Sequence, residues 1–223
     1  MALEAPVLYG LDIETDTTDD GLDPRVARVL AVAVAAPWGH AVFTGEERAL
    51  LCKLDRHLLT LAPGVLVTWN GAAFDLPFLT SRAAVAGVDL GLRLTLDPAI
   101  PMRRDPLPGH LGAYRAAWHD HRHLDAYRLY RGDVRRTLNV SCGLKSIARL
   151  VGLPAVDVER SRIHELAPPE LAAYVASDAD LARLLAARRW PTASRCVDSP
   201  GGAPPGPSGR VSARAARTAA PAR

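Results

Sequence analysis

Apolar residues fall into short dense runs in the first third of the chain and into longer periodic stretches after it. The run Val7–Ile13 (VLYGLDI) predicts a strand, and the β-branched, alternating segment Val26–Ala36 predicts a second. His40–Thr44 is positioned to pair with it after the Pro37-Trp38-Gly39 turn. Glu46–Leu61 has helical periodicity, with two acids at the end where the helix dipole favours them. Gly64–Trp69 (GVLVTW) predicts a buried strand closed by the Asn70-Gly71 turn, and Asp75–Ala86 a helix ending near Gly87. Arg122–Leu129 reads as a strand running into a helix. Ser141 is the expected N-cap of a helix that stops at Gly152, and Pro168 or Pro169 opens a last helix through Arg189, ended by Pro191. Gly91–His119, with Pro98, Pro101, Pro106 and Pro108, reads as a long surface loop. Strands first, then strands alternating with helices, predict an α/β fold with one mixed central sheet flanked by helices.

Composition changes this picture mainly at the C-terminus. The 223 residues carry a net charge of +3. Between Pro191 and Arg223 lie five arginines and one acid, Asp198, so this segment holds +4 and the remainder −1. The segment is rich in Pro, Gly, Ser, Ala and Arg and cannot bury enough apolar surface to offset its ordering entropy. The expected organisation is therefore a folded domain over 1–190 and a disordered tail over 191–223. The tail is either a nucleic-acid-holding arm or, the favoured reading, a solubilising extension. Glu4 and the lack of a basic leading segment argue against a secretory signal, and the longest apolar run, Val29–Trp38, is too short to span a bilayer. Cys52, Cys142 and Cys196 form no paired motif, which favours a reducing, cytoplasmic setting.

Several carboxylates interrupt apolar patterns. Asp12 and Glu14 lie in the first strand, where alternate residues share a face about 7 Å apart. A D-x-E pair alone means little, since Asp157-Val158-Glu159 is a second one, but that pair is surrounded by charge and reads as solvated. Asp75 follows a buried strand, at the place where open α/β sheets bind ligands, and is otherwise an ordinary helix cap. In the last helix, Leu171, Tyr174, Asp178, Leu181 and Leu185 form one face, and a carboxylate at its centre needs compensation. Tyr174 stands one turn before Asp178 on that face. Four carboxylates on three elements suit hard cations, Mg²⁺ or Mn²⁺, and a pair of such ions can drive phosphodiester hydrolysis.

The segments LDIET, WNGAAFDLPFL and YVASDADL, in this order, resemble the three exonuclease motifs of the DnaQ-like superfamily of 3′–5′ exonucleases, in its DEDDy subgroup. N-G-x-x-F-D-x-P-F-L is most similar to the exonuclease domain of family B DNA polymerases, and HLDAYRLYRGD followed by GLKSIARLVGL is similar to a later strand and helix of that domain. The resemblance covers about residues 7–189. It implies a ribonuclease H-like fold, two divalent cations held by Asp12, Glu14, Asp75 and Asp178, and Tyr174 orienting the attacking water. It also implies that Asn70 and Phe74 line the place of the terminal nucleotides, Phe74 by stacking or by packing helix to sheet.

The length leaves no room for a polymerase domain. The expectation is thus a stand-alone exonuclease acting on the 3′ end of single-stranded nucleic acid, DNA favoured over RNA, and releasing nucleoside 5′-monophosphates. An RNA-trimming ribonuclease and a catalytically idle nucleic-acid-binding module are the alternatives; no membrane is involved, and protein partners are open. His119, His121 and His123 alternate along a strand and read as a solvated segment rather than a zinc site. Asp125 is expected to cap a helix or pair with Arg128 or Arg131, outside catalysis.

Overall fold

A computed structural model describes residues 6–97 and 112–198. Seven strands form one sheet: β1 (Leu8–Thr15), β2 (Val29–Ala36), β3 (Gly39–Thr44), β4 (Val65–Thr68), β5 (Leu92–Leu96), β6 (Tyr114–Trp118) and β7 (His121–Asp125). Their order is β3-β2-β1-β4-β7-β6-β5. β1, β4 and β7 are parallel neighbours, and the flanking strands are antiparallel. Two antiparallel meanders thus enclose a parallel centre, the arrangement of a ribonuclease H-like α/β fold.

The helices α1 (Glu47–Thr60) and α2 (Asp75–Ala86) cover one face. Leu50, Leu54, Leu58, Phe78 and Leu79 pack there on Tyr9, Leu11, Ile13, Val32 and Val34. The other face receives α3 (Ala126–Leu138), α4 (Leu144–Leu150) and α5 (Pro168–Arg188). Val65, Val67 and Leu124 meet Tyr130, Ile147, Leu181 and Leu185 on that side.

The seat of α5 is cut from small residues. Ala31, Ala33 and Ala35 of β2 pack against Leu171, Val175 and Ala179. Gly10 lies beside them, opposite Ala35. A Cβ built on Gly10 would stand 1.9 Å from the Ala179 carbonyl oxygen, so only glycine admits the helix backbone this closely. Gly10, Asp12 and Glu14 share one face of β1, and the same approach that excludes a side chain at Gly10 brings Asp178 over the two acids.

Three expectations are corrected. The segment Gly91–His119 is not simply a loop: Leu92–Leu96 and Tyr114–Trp118 pair with each other as the outer strands of the sheet. Leu92–Leu96 is a half-exposed edge and lacks the dense apolar run of a buried strand. The four prolines lie outside the described residues. Ser141 does not cap α4; Gly143 holds the cap position, and the Ser141 hydroxyl accepts the Gly143 N–H at 3.3 Å. The folded part also runs past the expected boundary at residue 190. A short helix α6 (Trp190–Ala193) and a 3₁₀ turn, Ser194–Cys196, follow α5, and Ala193 and Val197 are buried in the core. Asp198 closes this segment: its N–H donates to the His123 carbonyl at 2.8 Å, and its carboxylate accepts the Ala116 N–H at 2.9 Å. The rest of the expected tail, 199–223, lies outside the described residues.

Candidate active site

Asp12, Glu14 and Asp178 meet at the centre of an open cleft of about 960 Å³, also lined by Asp75 and Tyr174. One carboxylate oxygen from each of Asp12, Glu14 and Asp178 lies within 4.8 Å of the others. β1 supplies the first two acids and the middle of α5 the third. Asp75 comes from the first residue of α2, with Phe74 in the cap position, so its carboxylate faces the cleft instead of capping the helix.

The acids are far from their ordinary protonation behaviour. Burial, followed by Glu14, Asp75 and Asp178, pushes Asp12 well above the usual carboxylate range. Burial and then Asp178 push Glu14 up to about 8. Burial raises Asp75 to about 7, with backbone N–H groups of Asp75 and Ile13 opposing the rise. Burial also raises Asp178, against the pull of Lys145 and Arg160. Even with these two cations, four crowded carboxylates remain short of positive charge. Moreover, Asp178 Oδ1 is buried and makes no hydrogen bond. An orphaned buried oxygen beside two further carboxylates fits a hard divalent cation, which accepts oxygen-only donors. Asp12, Glu14 and Asp178 are the residues that would hold it; Asp75, expected as a fourth ligand, lines the same cleft but is not among these three convergent acids.

Two cations escaped the sequence reading. Lys145, in the first turn of α4, is buried; its Nζ lies 3.3 Å from Asp178 Oδ2 and 3.8 Å from the centroid of the Tyr174 ring. It also donates to the Val156 carbonyl. The available signal was its rarity: Lys53 and Lys145 are the two lysines of a chain with 25 arginines, and Lys145 stands among Leu144, Ile147 and Ala148. The second is Arg160, which lines the cleft and whose positive charge opposes the upward shifts of Glu14 and Asp178. Nothing in its charged local sequence marked it. Tyr174 itself is buried, and burial followed by Glu14 and Asp178 raises its pKa, keeping the phenol neutral.

Asn70 and Phe74 both line the cleft. Asn70 is held at φ 69°, a left-handed conformation, and its N–H donates to Asp125 Oδ1 at 2.8 Å. Phe74 is partly buried: its ring lies 5.4 Å from that of Phe78, so it packs helix to sheet and borders the cleft at once. Asp125 accepts the Tyr127 N–H at 3.1 Å and lies 3.7 Å from Arg128, the expected capping and pairing. Its bond to Asn70 also braces the turn that leads to Asp75.

The histidines are corrected. His121 and His123 are buried, not solvated. His121 Nε2 bonds the Leu58 carbonyl at 2.8 Å while its Nδ1 accepts the Gly64 N–H at 3.2 Å. His123 bridges Thr68 Oγ1, at 2.9 Å, to Asp198 Oδ2, at 3.2 Å. His119 lies 3.1 Å from Asp55. Asp157, in the second D-x-E pair, is exposed and bonded to Arg149, as a solvated pair should be.

Comparison with known proteins agrees with this geometry. The family described as DNA polymerase family B, exonuclease domain, matches residues 8–147. Tyr174 and Asp178 lie beyond that match, and the fold alone brings them to the acids of β1. The catalytic chain of DNA polymerase epsilon from Candida glabrata is 27% identical over 147 residues, covering 63% of this chain and 6% of the relative. Its counterpart from Schizosaccharomyces pombe is 30% identical over 138 residues, covering 60% of this chain and again 6% of the relative. The chain therefore spans a small fraction of the length of these polymerases. The structure of the family B DNA polymerase from the hyperthermophilic archaeon Pyrobaculum calidifontis shares the fold, with a TM-score of 0.60 and 20% identity, over 82% of this chain and 24% of that one.

Proposed function

The chain belongs to the family of DNA polymerase family B exonuclease domains, and from that premise we propose that its 223 residues suffice to hydrolyse 3′-terminal phosphodiesters. The substrate in this reading is a single-stranded 3′ end, DNA in preference to RNA, and the products are nucleoside 5′-monophosphates. The observation that carries it is the convergence of Asp12, Glu14 and Asp178 on one point, with Asp178 Oδ1 buried and unsatisfied. A site that crowds this many buried carboxylates, which ionise only against their mutual repulsion, is poised for divalent cations rather than for a neutral ligand.

Asp12, Glu14, Asp75 and Asp178 hold two Mg²⁺ or Mn²⁺ ions in this proposal. When bound, such a pair supplies water activation and compensation of charge on the leaving oxygen. Tyr174 is neutral and orients the attacking water through its hydroxyl. Lys145 opposes the upward shift of Asp178 and fixes the tyrosine ring by a cation–π contact. Asn70 and Phe74 flank the terminal nucleotide, Phe74 offering the exposed part of its ring to a base without reading its identity. Because the folded domain has almost no net positive charge, phosphate is attracted at short range by the loaded site. A cytoplasmic setting, supported by three unpaired cysteines, is part of the same proposal. Among the described residues no helix is long and apolar enough to cross a membrane.

The test uses matched 5′-labelled DNA and RNA oligonucleotides with Mg²⁺ or Mn²⁺. The expected result is a ladder shortening from the 3′ end, faster on DNA, and slowed on the order of 10³-fold by Asp12→Ala or Asp178→Ala. Preferential RNA shortening overturns the substrate assignment. Binding without turnover by the metal-loaded protein overturns the enzymatic reading.

A further inference from the structure

We propose that Asp125 is a positioning residue for the substrate: its carboxylate fixes the left-handed backbone of Asn70 and so sets where the Asn70 side chain meets the 3′-terminal nucleotide. This inference rests on the exonuclease reading, in which Asn70 flanks that nucleotide. It gives a task to an acid that touches no reacting atom.

Asp125 ends β7 and stands level with Thr68, the last residue of β4. Its carboxylate is buried. Oδ1 accepts two N–H groups, from Asn70 at 2.8 Å and from Tyr127 at 3.1 Å, and Oδ2 lies 3.7 Å from Arg128 Nε. The contacts to Tyr127 and Arg128 are local and serve the start of α3. The contact to Asn70 spans 55 positions and ties the turn after β4 to the end of β7. A second anchor works on the same stretch, because Thr68 Oγ1 lies 2.9 Å from His123 Nε2. β7 thus holds the chain at both 68 and 70.

Asn70 needs such a hold. Its φ of 69° lies in the left-handed region, which a Cβ disfavours and asparagine tolerates better than most residues. The Asn70 carbonyl accepts the Ala73 and Phe74 N–H groups at 3.0 and 3.1 Å, so the turn into α2 hangs on it. Asp125 pins the same residue from its N–H side. With both backbone groups engaged, φ is set, and with it the direction of the Cα–Cβ bond. For the turn alone glycine would suffice, since it takes this φ without steric cost. A glycine does follow at 71, where an added Cβ would stand 2.5 Å from Thr68 Cβ. At 70 the chain instead keeps a side chain and commits a buried carboxylate to holding its backbone. What asparagine adds over glycine is an amide at the cleft wall. An amide both donates and accepts, which suits the sugar, phosphate or base edge of a nucleotide. Without the clamp, Asn70 relaxes toward negative φ and its amide leaves that place, while the acids on β1 and α5 stay where they are.

Steady-state kinetics on a 5′-labelled DNA oligonucleotide with Mn²⁺ tests the assignment. Asp125→Ser keeps an oxygen able to cap α3, but that oxygen stands one bond nearer the backbone, short of the Asn70 N–H. It is expected to raise KM about tenfold with kcat within about threefold, the pattern of lost substrate binding. Asp125→Asn keeps an oxygen for the Asn70 N–H and is expected to hold KM within about threefold of the wild type. An Asn70→Gly background adopts the turn unaided and has no side chain to misplace. There Asp125→Ser is expected to change KM less than about twofold. Hydrogen exchange follows the clamp itself: the Asn70 N–H is expected to exchange at least about tenfold faster in Asp125→Ser, with the core strands still protected. An unchanged KM in Asp125→Ser, an equal rise in KM in the Asn70→Gly background, or an Asp125→Ser protein that fails to fold would each overturn the proposal. The last two make the acid structural. An inactive wild type instead overturns the exonuclease reading on which the proposal stands, so the two failures are told apart.

Discussion

Asp178 shows at the scale of one residue how stability is given up at the site. Its carboxylate sits on the apolar face of a helix, with one oxygen on Lys145 and the other unsatisfied. Glu14, raised to about 8, and Asp75, raised to about 7, extend the same cost. These groups are raised above the roughly pH 4 of an unfolded carboxyl. The folded state therefore keeps protons that the unfolded chain has released, and each group favours folding at low pH. That contribution is fully present below about pH 4 and lost as pH rises through 7 to 8. In chelator, the Tm is expected to fall between pH 5 and pH 8, and Mg²⁺ or Mn²⁺ is expected to flatten the decline. Calorimetry with and without chelator measures this; a Tm that climbs over the same range contradicts it. Asp12→Asn, which removes one of the crowded charges, is expected to raise the metal-free Tm at pH 8 by a few degrees while abolishing hydrolysis. A variant that is both inactive and less stable would show that Asp12 is structural.

At the scale of elements, the site depends on how closely α5 lies on β1 and β2. Gly10 and the three alanines of β2 set that distance. Gly10→Ala is expected to push α5 outward, costing on the order of 1–3 kcal/mol in a urea melt. The same shift moves Asp178 away from Asp12 and Glu14, so activity at saturating Mn²⁺ is expected to drop more than the loss of folded protein explains. Equal losses in folded fraction and activity would separate the glycine from the metal geometry. This seat was only half legible beforehand. The strand carrying Asp12 and Glu14 and the helix carrying Asp178 follow from period and apolar runs. Their contact involves residues more than 160 positions apart and leaves no local pattern. For the same reason Leu92–Leu96 and Tyr114–Trp118 passed for loop: each owes its strand character to pairing with the other.

At the scale of the whole molecule, the folded part continues past residue 190 to Asp198. Asp198 ties β6 to β7 where their own pairing is brief, through Ala116, His123 and, by way of His123, Thr68. A chain ending at Asp198 is expected to keep its Tm and its activity on short oligonucleotides. A chain ending at Trp190 loses Ala193, Val197 and these hydrogen bonds, and is expected to be destabilised by at least about 2 kcal/mol. If the shorter chain melts like the longer, the segment is not part of the fold. Four of the five arginines counted in the tail lie beyond Asp198, so the first truncation also asks whether positive charge there aids binding. A loss confined to long substrates at low salt would answer yes.

Local patterns by themselves singled out the acids that the fold brings together in the cleft. A carboxylate inside an apolar strand or on an apolar helix face is improbable unless something compensates it, and that improbability is readable one residue at a time for Asp12, Glu14 and Asp178. The ordered motifs around them were equally legible, as was the mixed α/β class, because periodicity and turn residues are short-range. What compensates and orients the acids was decided by tertiary structure. Lys145 beneath Tyr174, Arg160 in the lining of the cleft, Asp125 behind Asn70 and Asp198 against His123 all bring together distant elements. Charged and polar side chains reach such partners through space, and neither period nor composition records where a long side chain ends.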